Sequence, residues 1–92
     1  MNKYQQRYLD IYYDGKKPRD KGGKEKLALL GNLKSDHIRV HFPDFKTTPA
    51  HAEEYHITDK CNMPEGVIDV ETLSSNLWLW TSRGYKIEYL EA

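Results

Sequence analysis

Residues 68–90, IDVETLSSNLWLWTSRGYKIEYL, contain a helix start, a helix stop and the strand that follows, and they decide the fold. Asp69 is a strong N-cap, because its carboxylate accepts from the free backbone N–H groups of a first turn; Ile68 before it is spaced to meet Leu73 as a hydrophobic staple. From there Val70, Leu73, Leu77 and Trp80 recur at three- and four-residue steps and fall on one side of a helix, while Glu71, Ser75, Asn76 and Ser82 fall mostly elsewhere. Arg83-Gly84 is the stop, since glycine takes the left-handed position beyond a helix without a Cβ penalty and Tyr85 then folds back towards Trp80. Tyr85, Ile87 and Tyr89 alternate with Lys86 and Glu88, the period of a half-buried strand. Leu77–Thr81 also has a strand-like composition, so a hairpin turning at Arg83 and Gly84 competes. The agreement of both caps favours a helix over 70–83.

Working back along the chain, the sharpest alternation is His37–Phe42, with Ile38, Val40 and Phe42 on one face and His37, Arg39 and His41 on the other. Glu53–Asp59 repeats it, with Tyr55 and Ile57 inward and Glu54, His56 and Thr58 outward. Pro43, Asp44, Thr47, Thr48 and Pro49 make the connection between them too long for a tight hairpin, and Cys61–Gly66 reads as a turn carrying Pro64. Asn2–Tyr13 reads as a helix with Tyr4, Tyr8, Ile11 and Tyr12 on one side, although tyrosine and isoleucine also suit a strand. Asp14–Lys26, DGKKPRDKGGKEK, offers no apolar side chain to bury, and its proline and paired glycines make it a mobile basic loop. Leu27–Leu33 is short and apolar and fits either helix or strand; Leu27 and Leu30 help close the core. The expected fold is a small α+β single domain with a mostly antiparallel three- or four-stranded sheet covered on one face by one or two helices. Val70, Leu73, Leu77, Ile38, Val40, Ile57 and Ile87 form its expected centre.

Ninety-two residues suffice for one core of two packed layers. A single cysteine, Cys61, forms no internal disulfide, and no apolar run is long enough for a signal peptide or a membrane span, so the chain is expected to be cytoplasmic. Fourteen Lys and Arg balance fourteen Asp and Glu, yet residues 1–34 carry nine basic and four acidic side chains, a net of +5 that the remainder offsets.

If the strands share one sheet, His37, Arg39, His41, Glu54, His56 and Thr58 gather on its outward face, joined by Lys86 and Glu88 if the last strand takes part. Arg39, His41, Glu54 and His56 are the binding residues expected there, because a guanidinium presents a planar fork to a carboxylate or phosphate and imidazoles change charge near neutral pH. Lys16, Lys17, Arg19 and Lys21 form a second expected binding group, acting through charge. A metal site built on His37, His41, His56 and Glu54 fails on spacing. Residues four apart on a strand stand roughly 13 Å apart, too far to share one ion. Serine nucleophile elbows, dinucleotide fingerprints and metalloprotease helices are absent from the sequence, which implies neither a catalytic group nor a cofactor. The expectation is a small non-enzymatic protein that binds another protein, such as an inhibitor or regulator of a larger complex of the kind mobile elements encode. The rival readings are an RNA or single-stranded DNA binder using the basic loop and aromatic side chains, and a small hydrolase using the histidines.

Overall fold

A computed structural model describes residues 1–58 and 66–91. Its elements run α1 (Lys3–Tyr12), α2 (Lys21–Leu30), β1 (His37–Phe42), β2 (His51–Thr58), β3 (Val67–Asp69), α3 (Val70–Ser82) and β4 (Lys86–Leu90). The sheet order is β3-β2-β1-β4; β1 pairs antiparallel with both β2 and β4, and β3 joins β2 in parallel. This is the expected α+β fold with a mostly antiparallel sheet, made mixed by β3 and carrying three helices instead of one or two. The turn expected at Cys61–Gly66 lies outside the described residues except for Gly66.

The last third of the chain folds as its caps dictate. Asp69 Oδ1 accepts from the Thr72 N–H at 2.7 Å, and α3 begins at Val70. At the other end Gly84 takes φ +77°, its N–H donates to Thr81 O at 3.0 Å, and the Tyr85 N–H reaches Trp80 O at 3.0 Å, which together close the helix and launch β4. Leu73 and Leu77 are fully buried, and Val70 and Trp80 nearly so, against Ile38 and Val40 of β1, Ile57 of β2 and Ile68 of β3. Ile87, expected at the centre, is only half-buried, because β4 lies at the end of the sheet.

α1 and α2 pack on each other and on α3. Asn2 and Gln5 form a capping box at the start of α1, and the same two side chains donate to the carbonyls of Leu30 and Leu27. One pair thus satisfies groups at the N-terminus of α1 and the C-terminus of α2. Tyr4 and Tyr8 are buried as expected, but Ile11 and Tyr12 in the last turn are 37% and 50% exposed, and Leu9 is buried in their place.

The basic loop expected over 14–26 is shorter than that, because its second half is α2. Asp20 caps the helix, its carboxylate accepting from the Gly23 N–H at 2.7 Å and from the Tyr13 hydroxyl at 3.0 Å. Gly23 is there for space. A Cβ at that position would collide with the Tyr13 hydroxyl and sit 2.9 Å from Pro18 Cβ, whereas one at Gly22 meets nothing closer than 3.7 Å. What reads in the sequence as a loosened backbone is a close approach of the loop to the first turn of α2.

Candidate functional site

The helices cover one face of the sheet, and the other presents a row of charged and imidazole side chains held in register. Arg39 on the central strand faces Glu54 on β2 and Glu88 on β4. Its Nη2 lies 3.1 Å from Glu54 Oε1 and its Nη1 3.5 Å from Glu88 Oε2. Each carboxylate also holds an imidazole: His37 Nε2 is 3.0 Å from Glu54 Oε1, and His41 Nε2 contacts Glu88 Oε1. His56 stacks on His37, ring centroids 4.5 Å apart. The result is a continuous line, His56, His37, Glu54, Arg39, Glu88, His41, in which a carboxylate stands on each side of the guanidinium and an imidazole beyond each carboxylate. These side chains are partly exposed, 31% for His37 and Glu88 and 47% for Glu54, so they are reachable from solvent.

Local geometry explains the order. On β1, His37, Arg39 and His41 alternate with the fully buried Ile38 and Val40, so burial of the inner pair fixes the outward direction of the other three. Directly opposed residues on antiparallel strands bring their side chains together, which places an acid on each side of the guanidinium. The contact with His41, and then Arg39, holds the Glu88 carboxyl below its usual range.

Arg39 and Glu54 therefore neighbour each other as expected, whereas His56 joins them through His37 and His41 through Glu88. Two members of the line, His37 and Glu88, lie outside the four expected to bind, although the sequence places His37 on the outward face and adds Glu88 on condition that the last strand takes part, a condition met by the pairing of β4 with β1. The fork of Arg39 is engaged by two carboxylates of its own sheet.

The second expected group lies apart from this face. Lys16, Lys17 and Arg19 are exposed on the connection between α1 and α2, and Lys21 opens α2, where it stands 3.9 Å from Glu25. Among the described residues no three His, Cys, Asp or Glu side chains converge as a metal site would need. The imidazoles of His37, His41 and His51 meet carboxylates; Ser35, the hydroxyl beside β1, donates to the Leu90 carbonyl and accepts from the His37 N–H at 3.2 Å. No helix among the described residues is long and apolar enough to cross a membrane. Compared with protein-family models, curated proteins and solved structures, the chain matches none of them.

Proposed function

We propose that the protein acts without catalysis, by docking the open face of its sheet on another protein, as an inhibitor or regulator of a larger complex. The observation that carries this reading is the alternation of sign along the face. Arg39 and Lys86 balance Glu54 and Glu88, so the surface is polar, ordered and close to neutral when the imidazoles are uncharged. A phosphate approaching Arg39 would meet two carboxylates first, whereas a protein surface of complementary mixed charge finds a partner for each group. Ion pairs that are already formed also reduce the ordering cost of binding, because the side chains are held before the partner arrives.

The test is affinity capture from the native cell with the wild-type chain and with the Arg39→Ala/His56→Ala variant, each checked for fold by circular dichroism. The expected result is a protein retained by the wild type and lost by the variant. Equal capture by both folded chains would remove the face from the function.

The nucleic-acid reading keeps one specific support: the exposed Tyr12 ends α1 just before the loop that carries Lys16, Lys17 and Arg19, so a ring and three cations lie close in sequence. Retention on a single-stranded nucleic-acid column that falls with salt, and falls again when those cations become serine, would favour it.

A further inference from the structure

The sheet ends at β4. β1 pairs with it on one side, and among the described residues nothing pairs on the other. The direction of its backbone groups follows from its neighbours. The His56 N–H donates to Gly66 O, towards β3, and the Ile57 N–H donates to Asp36 O, towards β1. Backbone groups alternate in direction along a strand, so Tyr55 and Ile38 exchange bonds between β2 and β1, and His37, Arg39 and His41 turn theirs to β4. Lys86, Glu88 and Leu90 thereby commit their backbone groups to β1. Ile87 and Tyr89 hold theirs out along the free edge.

We propose that β4 is a self-association edge, on which a second copy of this chain pairs antiparallel about Ile87 to continue the two four-stranded sheets as one. This register is chosen by charge. Centred on Ile87, it sets Lys86 opposite Glu88 of the other copy, twice, as close cross-strand pairs on the open face. A centre at Glu88 would oppose two carboxylates, and a centre at Lys86 two ammonium groups. Lys86 is exposed and forms no salt bridge among the described residues, so it is available for this contact.

The hydrogen bonds agree with the same centre. The two Ile87 residues exchange both of their bonds, and the Tyr89 N–H reaches the carbonyl of Tyr85, whose own N–H is already committed to Trp80. On the helical side, half-buried Tyr85, Ile87 and Tyr89 flank the seam. Asn32, beside Tyr89, also lines a groove of about 510 Å³ between α2 and α3, with Glu25, Ala28, Leu29 and the 39% exposed Trp78. The two charged lines described above then lie side by side on one face, related by a two-fold axis, and suit a partner that is itself paired.

Sedimentation of the full chain across a concentration series tests the proposal, with Lys86→Glu and Glu88→Lys variants and their equimolar mixture, each checked for fold by circular dichroism. The wild type should dimerise, each variant should associate at least about tenfold more weakly, and the mixture should recover, because its opposed charges are again unlike. Amide exchange at Ile87 and Tyr89, but not at Lys86 and Glu88, should slow as wild-type concentration rises. This reading needs no variant to fold. A wild type that remains monomeric to about 1 mM, a dimer indifferent to Lys86→Glu, or a dimer with unchanged exchange at Ile87 and Tyr89 would each overturn the proposal.

Discussion

Three carboxylates are held below their ordinary proton affinity by groups that the unfolded chain does not hold in place. Asp20 accepts from the Gly23 N–H and the Tyr13 hydroxyl, Asp36 from the Tyr4 hydroxyl with Lys3 beside it, and Glu88 from His41 with Arg39 beside it. Each is held below its ordinary value, 3.8 for aspartate and 4.5 for glutamate. A depressed folded value means that the unfolded chain binds protons first on acidification. The stability these groups contribute is full above the ordinary values and is lost as pH falls through the folded ones. Urea midpoints measured from pH 6 down to pH 2 should therefore fall steeply below about pH 4, and Asp36→Asn should flatten part of that slope. The glycine pair makes a second residue-level contrast. Gly22→Ala has room and gains helix propensity, so it should stabilise by up to about 1 kcal/mol, whereas Gly23→Ala should cost about 1 to 3 kcal/mol through its collision with Pro18 and Tyr13. Thermal denaturation of the two variants compares them directly.

Helix α3 and strand β1 could be read in advance because each announces itself twice, by period and by its boundaries. Asp69 and Gly84 bracket α3, and its buried side is spaced as a helix requires. Leu77→Ala, at a fully buried position under the sheet, should cost about 2 to 5 kcal/mol in chemical denaturation. β3 could not be read. Three residues, Val67–Asp69, are too few to show a period, and Asp69 belongs at once to the strand and to the cap that follows. α2 was hidden for a different reason: Gly22 and Gly23 signal a break when only local preference is weighed, and a close tertiary approach explains Gly23. The outward face was legible as a face because burial of Ile38 and Val40 demands it. Its internal pairing was not, since the arrangement of Glu54, Arg39 and Glu88 depends on which strands lie beside β1.

Over the whole molecule, four of the five excess positive charges in residues 1–34 fall on α1, the connection after it and α2, while the four strands and α3 carry a net −3 of the compensating −5. Partners steered by charge would reach the two regions by different routes. Replacing Lys16, Lys17, Arg19 and Lys21 by serine should leave the denaturation midpoint within about 0.5 kcal/mol of wild type, because all four are exposed. The same variant should lower the salt sensitivity of any anionic ligand's binding, which fluorescence titration at two ionic strengths would reveal. The placement of β1 has a consequence of its own. It lies between a strand that follows within a dozen residues and one that arrives more than forty residues later, with His41 facing Lys86 and His37 facing Leu90. A nascent chain on the ribosome can fold the β1–β2 hairpin early, but it must hold one side of β1 open until residues 86–90 have left the exit tunnel. Until then, the strand at the centre of the finished sheet is an unprotected edge.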